Sequence, residues 1–464
     1  MLKLTDSSRR DFLRIGALGM AGLSLPGLLK AQESSLVKDR SVVLLFLNGG
    51  PPHIETFDPK MTAPPEIRSV TGEVKTTLPG VTFGGTFVRM AKLAHKLAVI
   101  RNLTHSAPDH NDAKRVMLSG VEPALYARPR EEQNRDVVMA EITAKLCGAT
   151  DRRTGLPTSF VVGPTAISSD KGLRKDHDEE LRGSGQFGPA YLAFNPAGSG
   201  GLLQDMQLRL PRGRFEDRRE LLRQLDGLKG PLDGVMGAQD KYLQQAADLL
   251  LGGMSGVFDL TKESSRTLEA YDTGMFTLPS GLGERARKSA TPVHLGRQML
   301  LARRLCESGA RFVTVNSVGW DIHGDKTNPL GNLINLMPPL GGAVDKAVAA
   351  FIEDCEQRGL SDKILLVVTG EFGRTPRLGP QGGRDHWSRL TPAVLYGGGL
   401  KMGQVIGQSD RHAGEPSGDS TTPQQLMATI MHSMFDLGEL RVTRSLPPEV
   451  VRRITEVQPI RELV

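Results

Sequence analysis

The chain has 464 residues, enough for two or three domains or for one large α/β domain with insertions. With 39% hydrophobic and 24% charged residues it is neither an intrinsically disordered chain nor a multi-spanning membrane protein, and its 53 glycines and 29 prolines show no collagen period. The formal charge is +6, of which Lys3, Arg9, Arg10, Arg14 and Lys30 against Asp6 and Asp11 put +3 into the first 31 residues; with 5% aromatic residues and no long Lys/Arg run, nothing points to nucleic acid. Cys147, Cys306 and Cys355 lack the spacing of a disulfide framework or a thiolate zinc site, so any metal must be held by histidines and carboxylates.

The first element is Ser8-Arg9-Arg10-Asp11-Phe12-Leu13-Arg14 followed by an uncharged Gly/Ala/Leu-rich stretch from Ile15 to Leu29, which resembles a twin-arginine export signal. The stretch is shorter than the ~20 residues needed to cross a bilayer. The expectation is a signal peptide over 1–31, cleaved near Ala31, that sends residues 32–464 to the periplasm or outside with no membrane span left.

Val42 to Leu47 is a continuous apolar run and reads as a buried strand. Helical spacing covers Phe87 to Lys96, a short strand Leu97 to Ile100, and a loop from His105 leads into a helix that Gly120 ends. A helix over Glu131 to Leu146 and a strand over Ser159 to Val162 follow. From about 163 to 292 regularity drops, with helices at Arg214–Leu228, Asp240–Leu251 and Lys262–Tyr271 between Gly/Ser/Pro-rich loops; this reads as an inserted cap. Alternation then returns: helix Val293–Ser308, strand Arg311–Ser317, helix Leu340–Arg358, strands Lys363–Thr369 and Pro392–Tyr396, helix Pro423–Phe435. Continuous apolar strands separated by helices predict an α/β fold, a mostly parallel sheet covered on both faces.

In such a sheet ligands bind beyond the carboxyl ends of the strands. Polar clusters stand there: His53, Glu55 and Asp58 after the first strand; His105, Asp109, His110, Asn111 and Asp112 after the second; Asp321, His323 and Asp325 after the strand at 311–317. Glu371, Arg374, Arg384, Asp385 and His386 follow the strand at 363–369. Carboxylates gathered at strand ends repel one another unless a cation neutralises them, and mixed His/carboxylate sets suit transition metals.

The stretches Gly49-Gly50-Pro51-Pro52-His53-Ile54-Glu55-Thr56-Phe57-Asp58, Gly319-Trp320-Asp321-Ile322-His323-Gly324-Asp325, Glu371-Phe372-Gly373-Arg374-Thr375-Pro376 and Gly383-Arg384-Asp385-His386-Trp387 resemble the bacterial domain-of-unknown-function family 1501. That family is similar to the alkaline phosphatase and sulfatase superfamily. The resemblance implies a three-layer α/β sandwich with a mostly parallel central sheet, and one or two divalent metals, zinc first with manganese, iron or calcium as alternatives. It implies Asp321, His323, Glu371, His386 and Glu55 as metal ligands, although Phe372 replaces one superfamily histidine and Glu55 and Pro52 replace the usual Asp and Ser. The run from His110 to Gly120 resembles the nucleophile helix of sulfatases, with His110 at the nucleophile position as metal ligand, acid/base group or nucleophile. A formylglycine mechanism has no Cys or Ser there.

The expectation is therefore an exported metal-dependent hydrolase of a phosphate or sulfate ester, with an anionic substrate such as a sulfated or phosphorylated saccharide. In it His110 and Arg374 are catalytic, Arg384 and Asn111 bind substrate, and Asp385 and Trp387 support the ligands. The rival is a catalytically silent exported metal-binding or scaffold protein with the same fold.

Overall fold

Alternate residues of the first strand serve opposite cores. In β1 (Ser41–Asn48), Val43, Leu45 and Leu47 join one apolar cluster while Val42, Leu44 and Phe46 join another, so the strand is buried on both faces. The computed structural model describes residues 36–121, 136–168, 170, 173, 176–196, 214, 217 and 255–464. The expected signal at 1–31 lies outside the described residues, as do the expected helices Arg214–Leu228, apart from Arg214 and Asp217, and Asp240–Leu251.

The remaining strands are β2 (Glu73–Lys75), β3 (Thr82–Gly84), β4 (Ala98–Leu103), β5 (Ser159–Val162), β6 (Phe312–Val318), β7 (Ile364–Thr369), β8 (Gly373–Arg374), β9 (His386–Trp387), β10 (Thr391–Gly397) and β11 (Gln404–Ile406). Seven form the central sheet in the order β11-β4-β10-β7-β1-β6-β5. Only β10 runs against the others, pairing antiparallel with both β7 and β4. On one face pack α3 (Leu295–Glu307) and α4 (Leu333–Gln357), on the other α2 (Met139–Cys147) and α5 (Pro423–Met434). This is the three-layer α/β architecture expected from the sequence.

Two helices bear on the site. In α1 (His110–Ser119) the Asp109 carboxylate caps the backbone N–H groups of Asn111 and Asp112, and Gly120 closes the helix at φ 65°. The sequence expectation has this helix at Leu340–Arg358, yet α4 begins at Leu333, where the Asn332 side chain accepts from the Asn335 N–H, and Pro338 and Pro339 sit inside the helix. Burial of Leu333, Leu336 and Met337 in the core outweighs the lost backbone donors.

Of the expected cap at 163–292, the described flanks contribute to both cores: Leu181 and Ala193 on one face, Leu260, Tyr271, Leu282 and Ala290 on the other.

Candidate metal centre

Four chain segments converge at the carboxyl edge of the sheet. The turn after β6 carries Asp321 and His323, β7 leads into Glu371 and Phe372, and the loop after β4 leads to His110 at the start of α1. The two-stranded ladder of β8 and β9 puts His386 directly opposite Arg374. The approach of β1 to this edge depends on Gly49, which has φ +117°: a Cβ there would lie 2.5 Å from the Asp321 backbone nitrogen.

Three imidazoles face one carboxylate oxygen. Asp321 Oδ1 lies 2.8 Å from His323 Nε2, 3.3 Å from His386 Nε2 and 3.3 Å from His110 Nε2, and His323 Nε2 is 3.1 Å from His386 Nε2. The opposite nitrogen of every ring meets an oxygen: His110 Nδ1 is 2.7 Å from Glu371 Oε1, His323 Nδ1 is 2.8 Å from Asp385 Oδ1, and His386 Nδ1 is 3.2 Å from the Pro108 carbonyl. An oxygen acceptor at Nδ1 keeps the proton there and leaves the Nε2 lone pair turned inward, the arrangement in which histidines ligate metals. Phe372, fully buried, stacks at 4.5 Å from the His386 ring and 5.0 Å from the His110 ring.

This donor set fits a divalent cation. His110, Asp321 and His386 hold ligand atoms within 4.8 Å of one another, and His323 Nε2 touches two of the three residues. The separations of 2.8 to 3.3 Å around Asp321 approach the ~3.4 Å edge of a tetrahedron with ~2.1 Å bonds. With only the Arg374 guanidinium, 2.6 Å from the same Oδ1, to answer it, three inward lone pairs would oppose a carboxylate, and the cluster compensates by drawing protons. Burial disfavours the charged form of His110, but Asp321 and Glu371 outweigh it and raise its pKa to about 9. Asp321 itself raises the His323 pKa, and although burial opposes ionisation of Asp321, the three histidines and Arg374 hold its carboxyl far below the usual range. A single divalent ion would take the place of those protons.

Glu371 is fully buried behind His110, its Oε1 accepting from the Gly49 N–H at 2.8 Å as well, so it orients His110 where the sequence expected a ligand. Among the described residues no donor reaches its Oε2. Glu55 is not brought to the cluster. It is fully buried in the short helix His53–Thr56, where it takes the Ser69 hydroxyl at 2.6 Å, the Val70 N–H at 3.0 Å and the Arg384 guanidinium at 3.2 Å. The strand ends at Asn48, seven residues earlier in the chain, and the helix carries Glu55 beneath the site.

Arg384 is likewise turned inward, onto Glu55 and the carbonyls of Ile67 and Pro376, and is 1% exposed. Arg374 donates to the carbonyls of Gly49 and Gly50 and, at 2.6 Å, to Asp321. It therefore positions the Asp321 carboxylate and the β1 turn. Asp385 is exposed beyond His323, and Trp387 donates to the Gly414 carbonyl at 2.6 Å.

A cleft of about 670 Å³ opens beside the cluster, lined by Asn111 and by residues absent from the expected site, among them Asn48, Lys114, His177 and Glu180. Asn48 was legible as the first polar residue after the apolar run. Lys114 shares a helix face with His110, four residues before it, whereas Glu180 arrives from the expected cap and joins Lys114 at 2.6 Å only through the fold.

No curated protein matches the chain. Among solved structures, a sulfatase from Pseudoalteromonas sp. is 13% identical, covering 83% of this chain and 67% of its own at a TM-score of 0.36. A phosphonate monoester hydrolase from Silicibacter pomeroyi is 13% identical, with coverage of 90% and 77% and a TM-score of 0.32. The alkaline phosphatase from the Antarctic bacterium TAB5 is 13% identical, with coverage of 88% and 99% and a TM-score of 0.33. A family profile described as "protein of unknown function (DUF1501)" matches residues 39–444, and the chain belongs to that family.

Proposed function

We propose that this chain is an exported, metal-dependent hydrolase of a phosphate or sulfate ester, with Asp321, His110, His323 and His386 holding one divalent ion, zinc in first place. The observation that carries the reading is the convergence of three Nε2 atoms on Asp321 Oδ1 while an oxygen holds each Nδ1. The chemistry such an ion supplies is Lewis acidity and positive charge opposite an anionic transition state.

The chain's own residues set that chemistry up. Glu371 holds the proton at His110 Nδ1, Asp385 does the same for His323, and Arg374 ties Asp321 to the β1 turn. Phe372 excludes water behind two of the rings and offers no ligand beside Glu371, which supports one ion in place of two. Asn111 and Asn48 line the cleft in which the ester would lie. Export rests on the Arg9-Arg10 signature and its apolar sequel. Among the described residues no helix is long and apolar enough to cross a membrane.

One observation favours the silent metal-binding reading. Among the described residues no Ser, Thr or Cys side chain hydrogen-bonds to the cluster, and burial pushes the thiols of Cys147 and Cys306 up to about 12, so no thiolate is poised for attack.

The test is elemental analysis of protein purified without chelators, followed by a screen of phosphate and sulfate esters with wild type and Glu371→Gln. The hydrolase reading expects about one Zn, Mn or Fe per chain, lost in Asp321→Ala and His386→Ala, and turnover that falls in Glu371→Gln. Metal without turnover of any ester would put the silent reading first. No metal after reconstitution would end the hydrolase reading and leave the scaffold reading in front.

A further inference from the structure

The cleft beside the cluster has two unlike walls. One comes from α1 and the chain around 176–180: Asn111 and Lys114 stand there with His177 and Glu180. Lys114, the lysine of this wall among the described residues, is already neutralised, its Nζ standing 2.6 Å from Glu180 Oε2 with the side chain 8% exposed. The rest of the lining is mainly apolar, with Asn328 beside Gly283. Leu336 near the start of α4 and Leu282 and Ala290 ahead of α3 belong to a single core cluster and reach the cleft together, with Val318 at the end of β6 beside them. The acidic group at the mouth, Asp325, is engaged by the Thr327 hydroxyl and N–H within its own loop at 2.6 and 2.7 Å.

The polar wall is anchored through the core. Asp178, 1% exposed, accepts from Asn316 Nδ2 at 2.7 Å, and Asn316 Oδ1 accepts from Asn48 at 3.2 Å, so the segment that carries Glu180 is tied to the ends of β6 and β1. A wall pinned by buried hydrogen bonds, one of them to a carboxylate, keeps its spacing from the apolar side, and the cleft is a formed recess.

We infer that this cleft takes the uncharged, apolar portion of a substrate bearing a single anionic ester group, an aryl or similar hydrocarbon ester, in preference to a polyanionic saccharide. The inference rests on the hydrolase reading for the ester itself. A polyanion needs several unpaired cations, and among the described residues this cleft holds one lysine, already bound to a glutamate, whereas its four apolar side chains reward loss of hydrocarbon surface from water. Its volume of about 670 Å³ lies within the usual range for a small-molecule pocket.

The experiment is calorimetric binding to the metal-loaded mature protein with naphthyl phosphonate, methyl phosphonate and a disulfated disaccharide, at low and high salt. The expected result is at least tenfold tighter binding of the naphthyl than of the methyl compound. That margin persists at high salt and shrinks in Leu336→Ser, while the disaccharide binds no better than methyl phosphonate. Should Leu336→Ser misfold by circular dichroism, the salt series on wild type decides alone. Equal affinity for the two phosphonates, no binding of either, or tighter, salt-sensitive binding of the disaccharide overturns the inference. Because the two phosphonates carry no ester bond to hydrolyse, a naphthyl preference without turnover of any ester would fault the hydrolase reading and leave the binding preference standing.

Discussion

Replacing His323 by Ala removes one donor from the proposed four and leaves Asp321, His110 and His386 in place. Zinc sites of this donor number bind with ~10–16 kcal/mol, so one donor in four is worth about 2.5–4 kcal/mol, or roughly 60- to 700-fold in Kd. Glu371 acts one bond further out, through His110 Nδ1 at 2.7 Å, and such supports are worth ~10- to 100-fold, so Glu371→Gln should weaken binding less than His323→Ala. Asp385→Asn should cost least, because the Asp385 side chain is 79% exposed and water replaces its hydrogen bond to His323. The assay is competition for zinc between chelator-stripped protein and a chromogenic chelator at constant pH, with circular dichroism to show that each variant is folded. Identical affinities across the series, or Asp385→Asn weaker than His323→Ala, would refute the assignment of inner and outer roles.

Other consequences concern stability. Breaking the fully buried Arg384–Glu55 pair by Glu55→Gln or Arg384→Met should each cost about 3–5 kcal/mol, while the double variant costs less than the sum, read from denaturant midpoints; additive losses would show that the pair is not coupled. His53 and His105 are buried with pKa values lowered by burial to about 4, so above pH 6.5 they are neutral folded or unfolded and contribute no pH dependence. Between pH 6.5 and 4 only the unfolded chain binds those protons, and stability should fall by roughly 3 kcal/mol per histidine as the medium is acidified. The slope should flatten in His105→Gln; an unchanged slope in that variant would contradict the assignment. Gly49→Ala drives a methyl onto the Asp321 backbone at 2.5 Å and imposes an unfavourable φ of +117°, so it should lower stability by about 1–3 kcal/mol and weaken zinc binding together. Normal zinc affinity in that variant would show that the β1 turn does not position Asp321.

Much of this architecture is legible in the amino-acid order because its strands are buried on both faces. Runs such as Val42 to Leu47 and Ile364 to Val368 have no polar interruption, and only a covered sheet satisfies them. The direction of β10 was not legible, since an apolar run reads the same whichever way it pairs, nor was the start of α4, because core burial beyond Pro338 and Pro339 is a tertiary gain.

The site divides in the same way. The sequence by itself determined which residue types gather at the strand ends: Asp321 and His323 after one apolar run, Glu371 and His386 after another, His110 behind an aspartate cap. Only the tertiary structure decided their ranks. It turned Glu371 behind His110, sent Glu55 and Arg384 into a buried pair, aimed Arg374 at Asp321 and brought His386 into the cluster through the short ladder of β8 and β9. Spacing along the chain places a side chain near an edge of the sheet. Whether its polar end meets the site or the core depends on partners tens to hundreds of residues away, and the burial of those partners sets the outcome.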